Sequence, residues 1–461
     1  DRNWHGALRR DSCGAAHRDA DQTEDAAMSE TMIGLLGITG MFALLALRVP
    51  VAISMLAAGF FGTWALHGQR SAVAVLSSET FSAVSSYSLI VIPLFILMGN
   101  IASVAGFSRG LYELAYAWVG RFRGGLASAS ILGCAAFSAV SGSSVATAVT
   151  IGRVAIPEMS RYGYSNSLAT GSVAAGGTLG FLIPPSTGFV LYSILTEQSL
   201  GRLFMAGIVP GLLLTLLFVG AILVTTTLDP KAGPHGEALP LSERFQRLIG
   251  ALPLISVIVI SIGGIYAGVF TPVEAAGVGA FLVLVFALIG RKLTLRVIHG
   301  AFLETVKTST MLYVIVIGAG IFSPFLALTQ IPQGLADLLS SLGLGPYGTL
   351  VVILLAYVVL GMFMDALSML VITIPIVYPI IVSLGFDPIW FGVIAVIVIE
   401  MGMITPPVGI NVFVVKGIAP KVAMATIFRG VLPFWFAMLI ALVLLIVLPQ
   451  LALFVPNSMF G

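Results

Sequence analysis

The sequence predicts an all-α polytopic membrane protein made of two inverted-topology repeats, each holding a re-entrant helical hairpin and a broken transmembrane helix. Three observations lead there. Hydrophobic residues fill 58% of the 461 positions and charged residues 9%, whereas a soluble domain carries roughly 25% charged residues. Between Thr31 and Phe454 run repeated apolar stretches, each close to the ~20 residues that one helical crossing needs. Prolines and glycines also recur at one constant spacing, that from Pro50 to Pro272. The net charge of +2 offers nucleic acid no basic field. No Walker loop, dinucleotide fingerprint or HExxH pair occurs, so neither a nucleotide nor enzymatic chemistry is expected. Cys13 lies in a polar stretch and Cys134 in an apolar one, which suits neither a disulfide nor a metal site.

Residues 1–27 hold six acids and four arginines without apolar periodicity, and are expected to be disordered and outside the fold. The first repeat, 28–227, opens with spans near 31–47, 50–66 and 88–106, and a helix lying along the membrane surface is expected over 107–120. Residues 124–158 form two apolar arms, each short for a span, joined by SGSS at Ser141 to Ser144 and closed by Pro157. That pattern fits a hairpin that enters and leaves on one side. The segment 165–197 is long enough to span but is interrupted by GFLIPPS, Gly180 to Ser186. Two adjacent prolines remove two amide donors and push the preceding residue out of helix. A span near 202–227 closes the repeat, and 228–246 is read as a cytoplasmic loop. The second repeat, 247–461, runs in parallel: spans near 247–268, 273–290 and 307–328, a surface helix over 331–342 and a hairpin over 346–380. A helix over 388–417, broken at GMITPP, and a last span near 425–449 complete it.

Pro50, Pro157, Gly180, Pro184 and Pro185 each have a partner of the same type at that one spacing, in Pro272, Pro379, Gly402, Pro406 and Pro407. Such a register points to duplication. Three spans, a hairpin that does not cross, a broken span and a final span make five crossings, and an odd number inserts the second copy upside down. On that count fifteen of the Lys and Arg residues after Met28 fall on one side and two on the other. The rich side is then cytoplasmic, and both termini are periplasmic.

A hairpin tip or helix break exposes main-chain groups that cost several kcal/mol each if unpaired in hydrocarbon, so this backbone is expected to bind a ligand or line a wet cavity. Hydroxyl and carbonyl oxygens suit a hard cation such as sodium, and helix N-termini suit a carboxylate. The expected ligand is a small organic anion moved with a cation. Ser141, Ser143, Ser144 and Thr147 surround the first tip, and Thr178, Ser186 and Thr187 flank the facing break. Small residues also let helices pack closely, which is the plainer reading of the serines. Ser143, Ser144, Thr147, Ser186, Thr187 and Asn411 are the expected substrate contacts, Asn411 lying one turn beyond the second proline pair. At the same register Asp365 stands for Ser143 and Glu400 for Thr178. An ionisable group at such depth is costly and marks function. Asp365 is the candidate for cation coordination or cation-linked protonation, whereas Glu400 serves either function or a structural hydrogen bond. Arg153, ten residues past Ser143, reads as a structural arginine that snorkels or pairs, with Glu158 as one partner.

The strings AVSGSSVATAVTIGRVAIPEM from Ala139, GGTLGFLIPPS from Gly176, RLFMAGIVPG from Arg202 and MGMITPPVGINVFV from Met401 closely resemble the large membrane subunit (M subunit, DctM-like) of tripartite ATP-independent periplasmic (TRAP) transporters. The resemblance covers Met28 to the C-terminus. It implies an elevator-type ion-transporter-like fold and the transport subunit of a sodium-driven uptake system in the bacterial inner membrane. The implied partners are a small four-helix membrane subunit and a periplasmic binding protein that delivers a carboxylate, such as a dicarboxylate, sialic acid or another sugar acid. Two or more sodium ions are implied, held by Ser141, Ser143, Gly177 and Gly180 at the first tip and break. Gly361, Asp365, Met403 and Thr405 take that role at the second. One span alone precedes Pro50, so the small subunit is expected as a separate chain. The alternative within transport is a stand-alone sodium- or proton-coupled dicarboxylate carrier or ion antiporter of related fold. An intramembrane hydrolase would need a base beside Ser143, and no histidine or lysine is available at that depth.

Overall fold

The computed structural model describes residues 30–460; the polar segment 1–27 lies outside them. Among the described residues the chain is helical, with no strand beyond one bridge between Arg123 and His235. Nine helices among them are long and apolar enough to cross a membrane.

Helices α1 (Glu30–Ala46) and α2 (Val51–Ser85) come first. α2 continues well past the expected end near 66, because Gly68, at φ 82°, kinks the helix without ending it. A short 3-10 turn, Tyr87–Ile90, leads into α3 (Val91–Val104) and then α4 (Phe107–Val119). α4 is the expected amphipathic helix: Phe107, Leu111 and Tyr112 are buried, while Arg109 and Trp118 are exposed. The first hairpin pairs α5 (Gly125–Ser141) with α6 (Ser144–Arg161). Pro157 does not close it. The proline sits on an exposed face, where its missing amide costs least, and the helix runs on to Arg161. The first broken segment is α7 (Asn166–Leu182) and α8 (Thr187–Thr196), followed by α9 (Leu200–Leu228).

The second half holds α10 (Leu241–Tyr266), α11 (Pro272–Ile289), α12 (Leu295–Leu328) and α13 (Ile331–Ser341). Its hairpin is α14 (Gly345–Gly361) with α15 (Ala366–Ser383), and its broken segment is α16 (Pro388–Met403) with α17 (Ile410–Ile418). α18 (Met424–Val447) and a short α19 (Gln450–Phe460), beyond the expected last span, end the chain. Matching positions start matching helices. The Ser165 hydroxyl accepts the Leu168 amide at 3.2 Å to cap α7; at the equivalent place in the second half, the Asp387 carboxylate accepts the Ile389 and Trp390 amides at 2.8 and 2.9 Å to cap α16. α6 and α15 begin and end in that same register, and Pro184-Pro185 and Pro406-Pro407 both hold cis bonds.

Contacts divide the chain into two compact units. One holds the chain up to Ser85 with Tyr313–Gly345 and Pro375–Ile380; the other holds the rest. Within the first, glycines set α1 and α2 against the end of α12. A Cβ at Gly59 would stand 2.6 Å from the Ile321 carbonyl oxygen, and one at Gly37 2.6 Å from the Phe325 ring. In the second unit α7 and α16 are innermost. Every residue from Leu168 to Leu182 and from Ile389 to Met403 is buried, which is why these segments are apolar on all sides rather than along one stripe. α5, α6 and α18 pack directly on α7.

Candidate functional site

The first hairpin turns at Gly142, whose left-handed conformation (φ 61°) lets the chain reverse between Ser141 and Ser143. Its carbonyl accepts two hydrogen bonds from the first break, from the Thr187 amide at 3.1 Å and the Thr187 hydroxyl at 2.8 Å. No side chain fits here, since a Cβ on Gly142 would lie 2.5 Å from the Pro185 carbonyl oxygen. Ser143 then caps α6, its hydroxyl accepting the Ala146 amide at 3.4 Å. Ser141 and Thr147 join hydroxyl to hydroxyl at 2.7 Å across the tip. On α7, Gly177 and Gly180 leave room for the first turn of α6: a Cβ on Gly177 would meet Ala148 Cβ at 2.8 Å, and one on Gly180 would meet Thr147 Oγ1 at 2.8 Å. Ser186 bridges the break. Its buried hydroxyl donates to the Phe181 carbonyl at 2.5 Å and accepts the Gly188 and Phe189 amides at 3.1 and 3.3 Å. Thr178 turns back to its own helix, donating to the Ala175 carbonyl at 2.6 Å.

At the second hairpin the close approach is glycine against glycine. A Cβ on Gly402 would come within 2.6 Å of Gly361 Cα. Asp365 caps α15, accepting the Ser368 amide at 3.0 Å through Oδ1 and the Ser368 hydroxyl through Oδ2. Met403 is the last, buried residue of α16. Thr405 donates to the Met401 carbonyl at 2.6 Å and accepts the Trp435 indole N–H at 3.1 Å. Across this break the Asn411 amide donates to Glu400 Oε2 at 3.3 Å. Both side chains are almost wholly enclosed, Glu400 at 1% exposure and Asn411 at 0%. Asn411 Oδ1 has no hydrogen-bond partner among the described residues.

The residues expected at the first tip and its break, Ser141, Ser143, Thr147, Gly177, Gly180 and Thr187, thus form one cluster. Ser144 stands beside it, buried, and faces the Glu400 carboxyl of the second broken segment; α6 packs on α17, and α7 on both α16 and α17. Asp365, by contrast, spends its contacts within the first turn of its own helix. Arg153 is exposed and forms no pair with Glu158. Sequence reasoning missed two partners. Ser368 is legible as the fourth residue of an Asp-x-x-Ser cap, whereas nothing local marks Trp435, thirty residues from Thr405.

Beside the first tip lies a small cleft with room for about one water, with Ser141, Gly142, Ser186 and Thr187 on its polar side and Ile92 and Phe95 of α3 on its apolar side. Among the described residues no charged side chain lines it. The N-terminus of α8, at Ser186 and Thr187, borders it, and helix N-termini favour an anion. Among the described residues no three His, Cys, Asp or Glu side chains converge, so the oxygen donors at the two tips are hydroxyls and carbonyls, with one carboxylate, Asp365, at the second. That set fits a small hard cation better than a thiolate- or imidazole-seeking metal.

A family model for the DctM component of tripartite ATP-independent periplasmic transporters matches residues 38–451. The chain belongs to this family. The large permease protein DctM of a Pseudomonas aeruginosa C4-dicarboxylate TRAP transporter is 39% identical over 383 residues, covering 83% of this chain and 89% of that protein. The large permease protein TeaC of the Halomonas elongata ectoine TRAP transporter is 32% identical, covering 92% and 99%. The crystal structure of the Alcanivorax borkumensis YdaH transporter shares the fold at a TM-score of 0.57 and 18% identity, over 85% of this chain and 89% of that one. As a DctM-family protein the chain is a multi-span membrane permease.

Proposed function

We propose that this chain is the transport subunit of a sodium-coupled TRAP transporter of the bacterial inner membrane. It imports a small organic anion, a carboxylate such as a dicarboxylate or a sialic or sugar acid, delivered by a periplasmic binding protein. A separate small membrane subunit completes the complex. One observation carries the reading: a turning hairpin tip, a proline break and the N-terminus of α8 border one cleft, and the second broken segment holds a buried Glu400–Asn411 pair. Main-chain carbonyls and hydroxyls at such a crossing supply cation ligands, and the helix N-termini supply the carboxylate's partner. Sodium, as cotransported substrate, would draw on the oxygens of Ser141, Ser143, Gly177 and Gly180 at one locus and of Gly361, Asp365, Met403 and Thr405 at the other. The substrate would meet Ser143, Ser144, Thr147, Ser186, Thr187 and Asn411.

Two further features support this reading. The common register of caps, breaks and hairpin arms supports a duplication whose odd number of crossings inverts the second copy. Arg109, Arg247 and Lys292, which the crossing count puts on one membrane side, line one cavity. Of the relatives described above, the Pseudomonas aeruginosa one is named for C4-dicarboxylates. The test is uptake into proteoliposomes holding this chain and its small subunit, with and without binding protein and an inward sodium gradient. Uptake that needs both is the expected result. Full uptake by this chain alone would favour a stand-alone carrier, and indifference to sodium would remove the coupling.

A further inference from the structure

A separate cavity lies where α4 meets α6 and α10, and no residue of either tip or break lines it. Its room, about 140 Å³, is roughly ten times what one water needs. Helical spacing builds its walls. Residues three or four apart share a helix face, so Tyr112 and Tyr116 stand together on α4, and Glu158 and Tyr162 together on α6. Arg109 and Glu113, on the same side of α4, and Arg247 of α10 complete the polar lining.

The lining carries both signs of charge, on different walls. Where α4 faces α10, Arg109 donates through Nε to Glu113 Oε1 at 3.0 Å, and Arg247 donates through Nη1 to Oε2. One carboxylate answers two guanidiniums there, and the arginine side chains stay 72% and 42% exposed. On the α6 wall Glu158 joins no ion pair among the described residues. Phenol rings accompany it. Tyr112 is buried, and its hydroxyl has no hydrogen-bond partner among the described residues. The Tyr116 hydroxyl donates to the Tyr162 hydroxyl at 3.4 Å, with the two ring centres 6.4 Å apart.

Two guanidiniums and two carboxylates leave the lining with no net charge. A small anion would meet the guanidiniums but also Glu158, and a small cation would meet Glu158 but also the guanidiniums. A molecule carrying both charges is matched on both walls, and phenol rings attract an ammonium. We infer that this cavity binds a small zwitterion bearing an ammonium and a carboxylate. The ammonium lies against Glu158 among the tyrosine rings. The carboxylate takes the N–H edges of Arg109 and Arg247 that Glu113 leaves free. Because the walls belong to three helices, the occupant ties the hairpin arm α6 to α4 and α10. This inference does not rest on the proposed transport cycle; on the proposed topology the ligand is a cytoplasmic solute.

The experiment uses the full chain in nanodiscs, which leave both faces open, and titrates it calorimetrically with glycine betaine. Choline and acetate, which each carry one of the two charges, are the comparison. Glycine betaine should bind at least ten-fold more tightly than either. Glu158→Gln, which keeps the side chain's size and breaks no ion pair among the described residues, should weaken glycine betaine about ten-fold, the usual worth of a contact to a charged group. Tyr162→Leu removes one ring and should weaken it about two- to five-fold. Thermal unfolding without ligand checks that both variants are folded. Choline binding as tightly as glycine betaine would make this a cation site, and acetate doing so an anion site; either result overturns the inference. So would the absence of glycine betaine binding, or an unchanged affinity in folded Glu158→Gln.

Discussion

Gly142→Ala isolates the contact between the first hairpin tip and the first break. Two costs arise. An alanine held at φ 61° is in the left-handed region, which costs about 1–2 kcal/mol for a residue with a Cβ. The new methyl would also sit 2.5 Å from the Pro185 carbonyl oxygen. Backbone on both sides leaves no flexible side chain to yield, so the tip and break must part, and overpacking of this kind costs about 1–3 kcal/mol more. Separation strains the two bonds that Thr187 makes to the Gly142 carbonyl. Gly163→Ala is the control: it too has a positive φ, 75°, but a Cβ there meets nothing within 4 Å. The difference between the two variants is the clash alone, about 5- to 150-fold against the docked tip at 1.4 kcal/mol per factor of ten. Uptake in proteoliposomes should fall accordingly for Gly142→Ala and stay near normal for Gly163→Ala. Equal behaviour of the two, in uptake and in thermal unfolding, would show that the tip and break need not touch.

Two other substitutions probe the proposed function. Asp365→Asn keeps an oxygen to accept the Ser368 amide, so the α15 cap survives while the charge is lost; the sodium concentration for half-maximal uptake should rise, and an unchanged sodium titration would release Asp365 from the cation site. Ser144→Leu puts a bulky apolar group in a buried position facing Glu400; transport should be abolished while the protein still assembles in the membrane, and normal uptake would place the substrate elsewhere.

What the sequence disclosed followed from local chemistry. Double prolines cannot continue a helix, so both breaks were legible to within a residue or two, and the amphipathic mixture in 107–120 and 331–342 marked α4 and α13. Where tertiary packing decides, the reading fell short. A glycine inside an apolar run does not say whether a helix ends or kinks, and at Gly68 it kinks. Pro157 was expected to close the hairpin, but an exposed face forgives a lost hydrogen bond and α6 continues. The close approach of Gly361 to Gly402 and of Gly142 to Pro185 needs the third dimension, because their partners lie far along the chain, in separate helices or breaks.

The exchange of Ser143 for Asp365 at one register shows how two similar backbones can be given different tasks. Each side chain caps a helix by accepting the amide three residues on, so the fold requires no more than an acceptor there. The carboxylate adds lone pairs beyond those used by the Ser368 amide and hydroxyl, and it adds a charge that a cation can share. The first tip has no such reserve. Both lone pairs of the Gly142 carbonyl are taken by Thr187, and the Ser141 and Thr147 hydroxyls are bonded to each other. A cation at that tip must therefore compete for neutral oxygens already in use, whereas an anion in the cleft beside it meets the N-terminus of α8. Under the proposed function the charged tip is the stronger cation locus and the neutral tip the better neighbour for the carboxylate, so loss of charge at Asp365 should weaken sodium dependence before it weakens substrate recognition.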